Sequence, residues 1–507
     1  MRTLFPAALI FLLPLQAWSQ GGPLTPPPGP PGPTMKSLDV IEPRTPLVQG
    51  AAGVSIGAGG EITISQSGSY YLTKNLVITT AGFGIAITAP GVTVDLMGHT
   101  ISYNGTGLPD AAINIQASNV AVENGHIIST TTFDGTSFTL GGFNRGVYAL
   151  GSFNNVSARD INVRGTRNVG IQLGGNSSMV HRCSVSVSGT TGIRTGNGTV
   201  TACAVQTVGS TGILGSCVSD STVEASLGSG IIAETVQNCF VRNSTGSGHA
   251  IFAQTVTNSH GTSAGNYGIF ADLSVSASSG KCTNTAAFTY GIYCGGTVSS
   301  SRGEAAGGQG IFAGTATGCV GTSTGSNGLN STGILATVVT GSTGTSSAGH
   351  GISALRSVHS SFGQSTSTAS GRHGIDCGSA GLVVASQGVS AGGHGIYASS
   401  VSSSRGESSG IHAVNSSGIF ATQRVDLSHG ETTSTSGGDG INCFYFVTGS
   451  TGKASGGSGN GIICWLATQS FGYRTASEAN KYGISATQAV GCRALFGELI
   501  TDKFDMP

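Results

Sequence analysis

The chain has 507 residues, 84 of them glycine and only 9% charged, with a formal net charge of zero. Ordinary globular proteins carry roughly 25% charged residues, and so sparse and balanced a charge offers no field for electrostatic capture of nucleic acid or an anionic membrane surface. Low charge with abundant Ser and Thr would suit disorder, but Ile, Val, Leu and Phe recur at fixed phase, which a disordered chain has no reason to keep.

Residues 1–19 have the features of a secretory signal peptide: Arg2, a mostly apolar run from Leu4 to Leu15, and small residues at Ala17 and Ser19. Cleavage after Ser19 would leave an exported or cell-surface chain beginning at Gln20. An uncleaved anchor is the alternative, opposed by the shortness of the run and by Pro6 and Pro14. No later stretch is apolar for long enough to span a bilayer. Residues 20–49 are expected to be a stiff Pro/Gly tether, Gly21 to Pro33, followed by a short ordered lead-in.

From residue 50 the pattern turns to strand. Ile62, Ile64, Tyr70, Leu72, Leu76 and Ile78 alternate with polar residues, as half-buried β-structure requires. Residues 129–145 break the rhythm and are expected to be a loop thrown out from one coil. Beyond them Gly-Ile recurs at Gly170-Ile171, Gly192-Ile193 and Gly212-Ile213 and continues to Gly483-Ile484. The spacings, about 18 to 23 residues, mark a repeat architecture. A second register follows each Gly-Ile-x-Ala: Val256, Ser259 and Gly261 in one repeat, Val298, Ser301 and Gly303 in another. No segment has helical periodicity, and no Leu-x-x-Leu-x-Leu pattern with Asn appears. The prediction is an all-β parallel solenoid of roughly 20 coils over residues 50–495, closed by a C-terminal cap at 496–507. In each coil Ile and the following Ala or Cys should point inward and the residue between them outward.

These coils, following SQSGSYYLTKNL (65–76) and GVTVDLMGHTIS (91–102) and the lead-in MKSLDVIEPRTP (35–46), resemble exported bacterial right-handed parallel β-helix proteins, the pectin-lyase-like group. The resemblance covers nearly the whole mature chain. It implies a fold that hosts lyases, hydrolases, phage fibres and adhesins alike, so activity has to be argued from the site.

Eleven cysteines fit the coil scheme better than a disulfide framework. Cys294, Cys377, Cys443 and Cys464 take the small inner slot that Ala fills elsewhere, and Cys183, Cys203, Cys239, Cys319 and Cys492 fall in a Ser column. Bridges between stacked coils, Cys183 to Cys203 or Cys443 to Cys464, stay open at this point.

Three motifs carry candidate chemistry. Gly-His-Gly occurs at His350 and His394. In pectin-degrading hydrolases of the resembling group this tripeptide helps build the active site, but the paired aspartates and the Arg-Ile-Lys segment that accompany it are missing here. His350, His373 and His394 share the variable column before Gly-Ile and are expected to be polar corner residues facing solvent; a transition-metal site or a response to acid pH is the alternative. Asp376, Asp439, Glu304 and Glu407 lie on separate coils, with no acidic doublet of the kind that holds calcium. The third motif is the outward position after Gly-Ile, which reads Phe252, Phe270, Tyr293 and Phe312, and later Tyr397 and Phe420. An apolar stripe facing water often marks a binding surface, and aromatic faces suit sugar rings; the alternative is that these rings pack under loops or against another chain.

The expected function is that of an exported, non-catalytic, structural or adhesin-like protein. It would present an elongated surface to extracellular polysaccharide or to a cell-surface protein, with no cofactor, metal or nucleic-acid partner; oligomers are open. The alternative is a carbohydrate-active enzyme, a hydrolase or lyase of acidic polysaccharide. Two or more carboxylates converging in a groove beside His350 or His394 would favour the enzyme.

Overall fold

A computed structural model describes residues 44–243, 247–410, 416–475, 481–495 and 498–503. The predicted signal peptide, nearly all of the tether and lead-in, and part of the predicted cap lie outside the described residues.

The chain winds as an all-β parallel solenoid of about 20 turns. Strands are short because each wall of the coil is only a few residues wide, and each pairs in register with its counterpart one turn later. The Gly-Ile ladder is the clearest case. Ile62 pairs with Ile85, Ile85 with Ile113, Ile113 with Val147, and Val147 with Ile171. The ladder then runs unbroken through Ile251, Ile334 and Ile419 to Ile484. All of these side chains are buried. Burying one Ile contributes about 1.5–3 kcal/mol, so the column is the hydrophobic spine of the molecule. Ile251 has no glycine before it; Ala250 takes that place.

A second wall carries the Val column, Val200 to Val218, Val236, Val256 and onward to Val447 and Ala467. The third wall carries valine in the early coils, Val163 to Val241, and glycine from Gly261 to Gly472.

Between the second and third walls each coil turns through a residue with left-handed backbone. Asn258, Ala277, Ser300, Ser360, Leu427 and Gln469 hold this place at φ between 47° and 48° (Asn258 47°, Gln469 48°). Gly318, Gly341, Gly449 and Gly491 take the same place without strain; each non-glycine residue there costs about 1–2 kcal/mol and persists because strands on both sides fix it.

The segment 129–145 is a small hairpin rather than an irregular loop. Thr132–Phe133 pairs antiparallel with Phe138–Thr139, and Phe143 anchors its base, buried with its ring 5.7 Å from that of Tyr103. At the other end Ile484–Val490 pairs in parallel with Glu498–Lys503. None of the eleven cysteines forms a disulfide. Cys294, Cys377, Cys443 and Cys464 are buried in the inner slot, and Cys183, Cys203, Cys239 and Cys319 are buried in the Ser column. The one helix among the described residues is the short 3-10 turn Gly328–Ser331, and no helix there is long and apolar enough to cross a membrane.

Candidate functional site

The column before Gly-Ile is the most concentrated chemistry on the chain. His350, His373 and His394 are not solvent-facing: they are 6%, 8% and 4% exposed. The reason is a hydrogen-bonding duty. Nδ1 of His350 accepts the backbone N–H of His373 at 3.0 Å, Nδ1 of His373 accepts that of His394 at 2.9 Å, and Nδ1 of His394 accepts that of Ser417 at 3.2 Å. A corner N–H that finds no partner in the sheet would be costly to bury. The rings stack at 5.2 and 5.0 Å between centroids, and His394 stacks on Phe420 at 4.8 Å. The same duty passes down the column: Asp439 Oδ1 accepts the N–H of Asn460, and Asn460 Oδ1 that of Tyr482, both at 2.9 Å.

An Nδ1 that accepts a backbone N–H carries no proton, so each neutral ring holds its proton on Nε2. Burial pushes all three imidazoles below the ordinary histidine range, that of His394 to about 4. At His350 the Asp376 carboxylate works against that shift, lying 3.2 Å from Nε2. Burial likewise raises the pKa of Asp439, opposed by its bonds from Asn460 and Asn442.

This arrangement bears on metal and on catalysis. His350, His373 and Asp376 offer ligand atoms within 4.8 Å of one another. A metal needs an imidazole lone pair, and the lone pair of each ring is already committed to a backbone N–H. Binding at Nε2 would move the proton to Nδ1, against another N–H. The residues do not fit a metal ion. A general base needs its lone pair aimed at substrate, and these lone pairs point into the coil.

One carboxylate, Asp376, stands beside His350; the described residues bring no second one to it. Glu407 and Glu431 do pair on adjacent coils of the third wall. Arg405 Nε contacts Glu407 at 2.5 Å, while Lys453 Nζ contacts Glu431 at 2.7 Å and holds its carboxyl below the usual range. Held ionised in this way, Glu431 has no proton to donate as a general acid near neutral pH.

The aromatic stripe forms as a stack. Phe252 and Phe270 lie 4.8 Å apart at 8°, Phe270 and Tyr293 5.0 Å apart at 7°, and Tyr293 and Phe312 4.8 Å apart at 1°. His249 and Tyr267 stack alongside at 4.7 Å. Leu214 and Ile232 precede these rings in the same file and Leu335 follows, which gives seven consecutive half-buried apolar residues. Coil spacing sets ring spacing, and because the rings also lie nearly parallel, each spends its faces on its neighbours and turns its edge to water. Tyr397 and Phe420 stand apart, beyond Ser353 and Asp376, and pack against His373 and His394.

Sequence reasoning missed a second aromatic group. Phe444, Tyr445, Phe446 and Trp465 are 40–56% exposed, and Phe446 meets Trp465 edge to face at 6.0 Å. An edge-to-face contact covers one face of only one of the two rings. These residues fall at a corner and on the second wall, outside the Gly-Ile register. The run Phe444-Tyr445-Phe446, in a chain otherwise turning on Gly and Ser, was the available signal.

No protein-family model, curated protein or solved structure matches this chain.

Proposed function

We propose that this chain is an exported, right-handed β-helix of the pectin-lyase-like kind that acts without catalysis, as a structural or adhesin-like rod presenting a binding surface along its length. The observation that carries the reading is the uninterrupted apolar file from Leu214 to Leu335 on one outer wall. Soluble proteins rarely leave such a row facing water without a partner for it. The stacked file offers edges and suits an extended protein surface. The exposed rings of Tyr445 and Trp465 suit sugar rings, so a glycan would engage the later coils. The committed imidazoles and the ion-paired Glu431 favour this reading over a hydrolase or lyase.

The test is a glycan array probed with the chain and with Trp465→Ala and Phe270→Ala. Binding that falls at least tenfold with Trp465→Ala and is unmoved by Phe270→Ala is expected. An array blank for all three would remove the glycan half of the proposal, and turnover of any acidic polysaccharide would replace it with the enzyme.

A further inference from the structure

We propose that the His350–His373–His394 column is an acid-labile seam, whose protonation loosens the coils that carry it while the coils before residue 243 stay folded. The seam is a matter of geometry, whatever the chain binds. Each ring accepts a backbone N–H from the next coil through Nδ1. Adding a proton there sets two donors against each other and breaks a coil-to-coil bond at a buried corner. The rings also stack, at 5.2 and 5.0 Å, so successive protonations place like charges on adjacent coils.

The groups around the column do little to offset this. Asp376 faces Nε2 of His350 and is the one carboxylate that favours the charged form there. Arg372 opposes protonation of both His350 and His373, and His350 and His394 each oppose that of His373. Around His394 stand the rings of Tyr397 and Phe420 and the Ser417 N–H. Burial is the largest cause of the lowered pKa at all three. The sign follows from linkage: a histidine held neutral in the fold and free to charge when unfolded leaves stability intact above its unfolded value, about 6.5, and withdraws it as pH falls toward the folded one.

The chain supplies its own non-titrating control. Asn460 occupies the same column and its Oδ1 accepts the N–H of Tyr482. The variant His350→Asn, His373→Asn, His394→Asn therefore keeps an acceptor at every rung. Thermal unfolding by circular dichroism is followed at pH 7.5 and at pH 5, above the ordinary carboxylate range, together with mapping of the first cuts made by an acid-active protease; Asp439, whose pKa burial raises, is common to both proteins. Expected are a fall in the wild-type midpoint between the two pH values, a fall less than half as large in the variant, and first cuts at pH 5 between residues 333 and 421. Equal falls in the two proteins, or first cuts before residue 243, would overturn the seam. Should the variant fail to fold, nitrogen NMR of wild-type histidines decides: three rings protonated on Nε2 and titrating below the normal value support it, and any of the three protonated on Nδ1 at pH 7 ends it.

Discussion

The third wall divides the solenoid into two kinds of coil that share one Gly-Ile spine. In the early coils it carries Val163, Val185, Val205, Val223 and Val241. A β-carbon on Gly170 would meet Val185 Cγ1 at 2.3 Å, and one on Gly212 would meet Val223 Cγ1 at 2.3 Å. There the glycine before Ile makes room for a valine side chain. In the later coils the third wall is glycine too. A β-carbon on Gly351 would meet the backbone N of Gln364 at 2.2 Å, and one on Gly363 the backbone O of Gly374 at 2.3 Å. Backbone lies directly on backbone, and the wall closes in on the spine. The same two-letter word thus does two jobs. The later coils give up a layer of valine and extend a column of buried hydroxyls that the early coils hold at Thr166, Ser188 and Ser226: Ser323, Ser365 and Ser408 donate to the carbonyls of Gly308, Gly349 and Gly393 at 2.6, 2.7 and 2.7 Å. They hold together more by satisfied polar contacts and less by apolar burial, which is where a titratable column can matter.

The sharpest way to break this contrast is to put a side chain between the two backbones. Gly351→Val has no flexible neighbour to displace, so it is expected to cost more than about 3 kcal/mol and to abolish folding of the later coils. Circular dichroism melts read the loss directly. An unchanged midpoint would mean that the walls do not touch.

The reverse exchange is smaller. Val205→Gly turns an early coil into a late one without drawing its wall inward, and leaves a cavity. Lost burial, the cavity and glycine's extra chain entropy together should cost about 3 kcal/mol, read as a shifted urea midpoint. A cost below about 1 kcal/mol would show that the early wall collapses as readily as the late one, and the contrast between halves would disappear.

The spine and the second register were legible in the sequence because burial there selects one residue type coil after coil. Ile171 to Ile484, and the Ala/Cys slot at Ala271, Cys294 and Cys443, could be placed by phase alone. The histidines could not. Burial of His350, His373 and His394 follows from a backbone N–H needing an acceptor, and periodicity of apolar residues says nothing about such a need. The left-handed turn was equally silent, since Asn258, Ala277, Leu427 and Gln469 all fill it and share no side-chain property. The aromatic file was found from its register, but whether it shows faces or edges depends on ring torsions that spacing does not contain. Phe444 and Trp465 escaped because they lie off that register.

The Ser column offers the finest comparison of the halves, because each half breaks a rule the other keeps. In the later coils it is continuous from Ser342 to Ser470: Ser342 N–H bonds to Ser361 Oγ, Ser361 N–H to Ser386 Oγ and Ser386 N–H to Ser404 Oγ, each at 3.1 Å. Each hydroxyl also donates to the carbonyl two residues back, as Ser361 does to His359 at 2.7 Å. In the early coils Cys183 and Cys203 sit in adjacent rungs, and sulfur is a poor acceptor for the N–H opposite it. Their thiols point at the matching carbonyls, Cys203 Sγ lying 3.3 Å from Thr201 O, so a serine would find its donor position ready. Cys203→Ser should therefore stabilise the early coils by about 1 kcal/mol, and Ser361→Ala should destabilise the later ones by about 1–2 kcal/mol by stranding the Ser342 N–H. Paired urea titrations give both signs. If Cys203→Ser destabilises as much as Ser361→Ala, the cysteines are there for their volume, and the ladder of hydroxyls is not what joins one coil to the next.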